Sequence, residues 1–274
     1  MKKASTGIGI AIGVAGLLMG AMMEGTQPMA FVNISAILIV IGGTAGATIA
    51  SQGWESFKRV PSLYRRVMSS TPADYEGRIR LLVHLATRAR RDGLLALDSE
   101  AGEIDDEFTR KGLQLVVDGT DPAIVEDIMA REVEGMQARH AAGSRVFEKG
   151  GGFAPTMGII GTVMGLVHVL ENLSQPSTLG PAISTAFIAT LIGVGMANIV
   201  LLPVADRLRS LSADEAELRF LTLEGILAIQ NGENPRVVAG KLAAFVPPSE
   251  RPGEDDLMQR PGADPGADEA QRAA

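Results

Sequence analysis

Two threonines sit where they could handle a cation. Gly158, Gly161, Thr162 and Gly165 are related by spacings of three and four, and so are Ala186, Thr190, Gly193 and Ala197. On a helix each set forms one narrow face of small residues bearing a single hydroxyl. Hydroxyls and backbone carbonyls are the hard oxygen donors that a dehydrating sodium ion or a hydronium takes. The same pattern has a plainer use, because small faces let helices pack closely while each Thr bonds to its own backbone. Residue types alone leave both open.

Little else in the chain offers chemistry. There is no cysteine, which removes disulfides, thiolate catalysis and Cys-based metal sites. The three histidines, His84, His140 and His168, form no metal-spaced cluster. Ile41-Gly42-Gly43-Thr44 lacks the Lys and the spacing of a phosphate-binding loop, and no zinc-protease or nucleophile-elbow motif occurs. The expectation is a protein that is not an enzyme and holds no cofactor or metal. A net charge of −7 also speaks against nucleic acid as a partner.

The hydroxyl faces lie in long uncharged segments. Thr6–Met23, Met29–Ala50, Phe153–Leu170 and Ala182–Leu202 contain no Asp, Glu, Lys or Arg. Each holds roughly 18 to 22 residues, enough at about 1.5 Å per residue to cross a ~30 Å hydrocarbon layer. The chain has 274 residues, 46% of them hydrophobic but only 4% aromatic, with 32 Gly. That aliphatic, small-residue balance suits helices packed in a bilayer. Lys2 and Lys3 before the first run could signal a cleaved leader, but a second run six residues later is better explained by a helical hairpin. His168, near the outer end of the third run, is the one titratable group in the four and reads as interfacial. A proton or sodium pathway normally carries an intramembrane carboxylate, despite a cost of about 2.5–3.5 kcal/mol or more. Either the chain moves no ions or a partner helix brings that carboxylate.

All 25 basic residues lie at the N-terminus, within 51–150, or after Leu202, and the links 24–28 and 171–181 hold none. The positive-inside rule then places both termini and residues 51–150 in the cytoplasm. The fold class expected is all-α: a polytopic membrane protein with four transmembrane helices and a helical cytoplasmic domain between spans two and three. The organisation is a transmembrane hairpin over 1–50 (spans about 6–23 and 29–50) and a cytoplasmic domain over 51–150. A second hairpin follows over 151–204 (spans about 153–170 and 182–202), then cytoplasmic helices over 205–248 and a disordered acidic tail over 249–274.

Within the cytoplasmic region, Pro61 opens a short helix to Met68. A second helix runs from Pro72 to about Arg91 with Ile79, Leu82, Leu85, Ala86 and Ala89 on one stripe, and Asp92-Gly93 stops it. One further element covers Leu94 to about Val117. Thr120-Asp121-Pro122 starts a helix striped by Ile124, Val125, Ile128, Met129, Val133 and Met136, reaching about Lys149. Gly150-Gly151-Gly152 reads as a flexible joint before the third span. Pro155 reads as a helix-start proline and Pro203 as a helix end.

Four segments carry a family likeness: Phe31-Val32-Asn33-Ile34 through Val40-Ile41-Gly42-Gly43-Thr44, Ala89-Arg90-Arg91-Asp92-Gly93-Leu94-Leu95-Ala96-Leu97-Asp98, Ala154-Pro155-Thr156-Met157-Gly158 through Thr162-Val163-Met164-Gly165-Leu166, and Glu224-Gly225-Ile226 through Gly232-Glu233-Asn234-Pro235-Arg236. From about residue 5 to Pro248 the chain resembles the MotA/PomA family, the A subunits of the bacterial flagellar motor stator. The resemblance implies a four-span inner-membrane subunit, five copies of which surround two MotB- or PomB-type subunits. Each B subunit contributes a transmembrane helix with an essential Asp. Ion flow past that Asp generates torque on the rotor protein FliG. It implies rotor contact by Arg90, Arg91 and Asp98, Asp98 replacing the usual Glu. It implies coupling roles for Pro155 and Pro203. It implies an ion pathway, or lining of the partner helix, by Thr162, Thr190, Ala189, Gly158, Gly165, Ala186 and Gly193. Sodium-type members tend to carry Thr at Ala189 as well, so the resemblance favours the proton as coupling ion. The alternative within the superfamily is an ExbB/TolQ-like energiser of a periplasm-spanning partner, against which the first hairpin argues.

Overall fold

In the computed structural model residues 5–26, 28–251 and 253–257 are described, and among them every regular element is helical. Four helices are long and apolar enough to cross a membrane: Ser5–Met23, Ile34–Gln52, Pro122–Glu171 and Leu179–Gln230. The all-α polytopic class follows from these. Large apolar side chains stand open on all four, among them Ile12, Met19, Leu38, Ile159, Val163 and Phe187. A water-soluble monomer does not expose apolar surface on that scale, whereas lipid accepts it at no cost. The chain is a membrane protein.

The chain divides into two compact units. The first comprises residues up to Pro72 with Ala138–Ser212. Its second span starts where Asn33 caps the helix, its side chain accepting from the Ala36 amide at 3.0 Å. The third span is not a separate helix opened by Pro155. It is the end of the helix Pro122–Glu171, and Pro155 lies inside it. Gly150-Gly151-Gly152 does not form a flexible joint either, because helix continues through all three. A Cβ on Gly151 would come within 2.6 Å of Leu202 Cδ2, and one on Gly150 within 3.4 Å of Leu201 Cδ1. Gly150 and Gly151 serve close helix contact, whereas nothing lies within 4 Å of a Cβ on Gly152; the packing offsets a propensity cost of about 1 kcal/mol per glycine. The fourth span starts at Pro176, six residues before its expected point, and Pro203 does not end it. A π-helical turn at Met196–Leu201 leads straight into the helix Leu202–Gln230. That widened turn comes just before a residue with no N–H to donate back to Ile199, which suits a proline there.

The second unit comprises Ala73–Gln137 and residues from Ala213 onward. Asp74 caps the helix Tyr75–Asp92, whose Ile79, Leu82, Leu85 and Ala86 are buried as their stripe requires. The stripe on the helix from Pro122 begins at Val125, since Ile124 is exposed. The single element expected from Leu94 to Val117 is broken into Leu94–Ala96, Leu97–Ala101 and Glu107–Val117. The break has a local cause: Asp106 accepts from the Thr109 amide at 2.9 Å and starts a new helix. These helices meet Leu221, Ile226, Ile229, Val238 and Leu242 in one core. Order also extends past Ser249, where disorder is expected. Glu254–Leu257 makes a single helical turn, and Leu257 is buried in that core. One large apolar side chain among polar neighbours is enough to hold the turn down. The rest of the expected tail, from residue 258, and Lys2 and Lys3 lie outside the described residues.

Candidate functional site

Spans three and four meet along the two small-residue stripes. A Cβ on Gly158 would lie 3.0 Å from the Ala189 carbonyl oxygen, and one on Gly193 would lie 2.5 Å from the Ala154 carbonyl oxygen. A Cβ on Gly165 would lie 2.7 Å from Ala186 Cβ. Each contact is to backbone or to the first side-chain atom, so only glycine permits the approach. Gly158, Gly161, Ala186, Ala189 and Gly193 are buried in this contact, while Thr162, Gly165 and Thr190 remain partly open. Within one chain the stripes therefore pack against each other instead of standing free.

The two threonines meet in the contact. Thr162 Oγ1 is in hydrogen-bond contact with Thr190 Oγ1, and donates toward the Ala186 carbonyl at 2.9 Å or its own Gly158 carbonyl at 3.1 Å. Thr190 Oγ1 also lies 3.4 Å from the Gly158 carbonyl. Two hydroxyls thus share three carbonyl and hydroxyl acceptors at one point, with both threonines partly exposed beside them. This is a small patch of hard oxygen in an otherwise apolar layer. It contains no charge, so any cation using it needs an acid from elsewhere.

Asn33 and Thr185 were given no role in the reading from sequence, and the fold joins them. Asn33 Nδ2 donates to Thr185 Oγ1 at 2.7 Å and ties span two to span four. The only side-chain amide inside the second apolar run was the available signal. Thr185, Ser35, Gly161, Gly165 and His168 line a cleft of about 530 Å³ beside the threonine pair. His168 is exposed on its wall, with Asn172 donating to its backbone carbonyl at 2.8 Å. Pro203 lines a second cleft of about 620 Å³ with Gly9, Gly13, Asn198 and Arg207. Pro155 sits inside the third span, half-buried.

The second unit presents a charged turn. The helix Tyr75–Asp92 ends at Gly93, whose φ of +86° suits glycine and whose N–H reaches the Ala89 carbonyl at 2.9 Å. Arg88 pairs with Glu100 at 2.6 Å and Asp92 at 3.2 Å, and His84 lies 3.8 Å from Glu100. These pairs bind the end of one helix to the short helix Leu97–Ala101. Arg91 makes two bonds to Asp92, at 2.9 and 2.8 Å, which hold that carboxyl below the ordinary carboxylate range. Arg90 and Asp98 differ from their neighbours. Both are exposed, and among the described residues neither side chain has an ion-pair or hydrogen-bond partner.

Comparison with known proteins agrees with this layout. The MotA/TolQ/ExbB proton channel family matches residues 100–219. The chain is 37% identical over 252 residues to motility protein A of Bacillus subtilis (strain 168), covering 92% of this chain and 93% of that protein. It is 36% identical over 253 residues to chemotaxis protein PomA of Vibrio alginolyticus, covering 92% and 98%. Its fold matches a solved structure of the flagellar MotAB stator complex from Bacillus subtilis with a TM-score of 0.85 at 36% identity, over 90% of this chain and 98% of that one.

Proposed function

The chain belongs to the MotA/TolQ/ExbB proton channel family, in its motility protein A branch, and from that premise we propose how it works as a stator subunit of the bacterial flagellar motor. It assembles with a MotB-type subunit whose single membrane helix carries the missing carboxylate. The observation that carries this reading is the pairing of the Thr162–Thr190 hydroxyl patch with four spans that hold no carboxylate. The acid of the partner helix docks beside the partly open edge formed by Thr162, Gly165 and Thr190. A cation passing between that acid and the hydroxyls exchanges one set of hard oxygen ligands for another without crossing bare hydrocarbon. Gly158, Ala186, Ala189 and Gly193 keep spans three and four close enough to hold the patch together.

Five copies surround the partner helices. Both termini and residues 51–150 face the cytoplasm, where the free charges of Arg90 and Asp98, with Arg91 beside them, engage the rotor protein FliG. Pro155 and Pro203 transmit the state of the ion site along spans three and four. The coupling ion is the proton, a reading that rests on the family resemblance, in which sodium-type members tend to carry a third Thr at the position of Ala189.

The test is ion flux into vesicles. Flux should appear only when the chain is co-expressed with its MotB-type partner, and should vanish when the partner's membrane Asp is changed to Asn. Conduction by the chain alone would overturn the assignment. Swimming speed that rises in proportion to sodium at fixed proton-motive force would overturn the choice of ion.

A further inference from the structure

The turn between Asp92 and Leu97 presents an apolar side chain that the fold itself does not use. Leu97 is fully buried and Leu94 packs on the same core, but Leu95 between them is 77% exposed. A single exposed leucine is ordinary. Two features distinguish this one.

The turn is held from several directions. Gly93 N–H bonds to the Ala89 carbonyl at 2.9 Å and Ala96 N–H to the Gly93 carbonyl at 3.2 Å. Arg88 grips Glu100 and Asp92 across its base. A side chain carried on so fixed a turn loses little freedom when a partner covers it.

Its surroundings are also selective. Arg88, Arg91, Asp92 and Glu100 all have partners. Arg90, five residues before Leu95, and Asp98, three after it, have none among the described residues. A free cation and a free anion on either side of an exposed leucine in the sequence of one turn match a surface that offers an acid, a base and a nonpolar pocket. A uniformly charged surface would satisfy only one of the two charges. We propose that Leu95 is the apolar anchor of the contact with the rotor protein, seated in a nonpolar pocket while Arg90 and Asp98 set the register. The proposal rests on the stator reading above. The charges steer the encounter and weaken with salt, whereas the leucine supplies holding strength that salt does not screen.

The test uses a motile strain lacking its own stators, supplied with the full chain and its B subunit. Stator units at each motor are counted by fluorescence and torque is read from tethered cells. Leu95→Ser should weaken engagement by about tenfold, as expected for removing one buried anchor, while Leu95→Met stays near wild type. Arg90→Glu, run in parallel, should abolish torque with membrane assembly intact. Full occupancy and torque in Leu95→Ser, with Arg90→Glu immotile, overturns the anchor and leaves the stator reading standing. Normal motility in both overturns the rotor-contact reading as well. Because the chain has no cysteine, Leu95→Cys places a unique thiol at the turn. In membranes without the rotor protein that thiol should react fully with a maleimide. Protection there would mean that another stator subunit covers the turn, and would overturn the anchor even if Leu95→Ser failed to assemble.

Discussion

Replacing Gly193 with Ala adds one methyl group, and the structure shows what that group meets. The new Cβ would lie 2.5 Å from the Ala154 carbonyl oxygen and 3.1 Å from Gly158 Cα. Both are backbone atoms of a helix and cannot rotate aside. Ordinary contact begins at 3.4 Å, so spans three and four must part by about 0.9 Å at this point. A shift of that size stretches the 2.9 Å bond from Thr162 to the Ala186 carbonyl beyond hydrogen-bond reach. Forced overpacking costs about 1–3 kcal/mol. A lost interhelical hydrogen bond in a membrane protein adds about 0.6 kcal/mol. Against this, Ala is better than Gly in a helix by about 1 kcal/mol. The net expectation is a loss of about 0.5–2.5 kcal/mol. Gly16→Ala is the control, because nothing lies within 4 Å of its added Cβ and only the propensity gain remains. The assay is reversible unfolding of the detergent-solubilised chain in a mild-to-denaturing detergent series, followed by helical circular dichroism. The two substitutions should move stability in opposite directions. Equal shifts, or a Gly193→Ala chain as stable as wild type, would refute the account of these stripes as a contact only glycine allows.

Three further outcomes are expected. Thr162→Leu should assemble with the B subunit but abolish ion flux in vesicles; unchanged flux would mean that the hydroxyl only packs. Asp106→Asn keeps the helix cap but loses the charge bonded to Arg78 at 2.6 Å. Burial pushes the Asp106 carboxyl up, but the Arg78 guanidinium and the Thr109 hydroxyl and amide outweigh it and hold it below the ordinary carboxylate range. A carboxylate lowered in the folded state stabilises above its unfolded pKa of about 4 and loses that contribution as pH falls through its folded value. The substitution should therefore cost about 1 kcal/mol at pH 7, discounted because the group is partly open to water, and almost nothing in strong acid. A cost that does not change with pH in denaturant titrations would remove the charge from the explanation. Leu257→Ala should destabilise the second unit by about 2 kcal/mol, since it deletes a buried side chain at the edge of the core. A chain insensitive to this change would show that the final turn is dispensable.

What could be read without coordinates were the features written along one dimension. An uncharged run long enough to span hydrocarbon and the one-sided distribution of Lys and Arg need no neighbour to be recognised, and both follow from the cost of charge in lipid. Stop and start residues are local in the same sense. Asp92-Gly93 ended its helix as expected, because a positive φ and a backbone bond to Ala89 involve only the adjacent turn. The small stripes were visible too, since period and side-chain size are sequence properties. What filled them was not, because Gly158 and Gly193 meet across 35 positions of chain. Only the folded chain shows the stripes packed on each other with Thr162 and Thr190 bonded at the contact. The glycine triplet from Gly150 misled for the same reason. Its weak helix propensity is a local signal, overruled by Leu201 and Leu202 arriving from another helix. Asn33 on Thr185, Arg88 on Glu100, and Arg90 and Asp98 left over with Leu95 exposed between them in sequence also belong to the tertiary structure. Partnership between side chains depends on distances that no single stretch of sequence specifies.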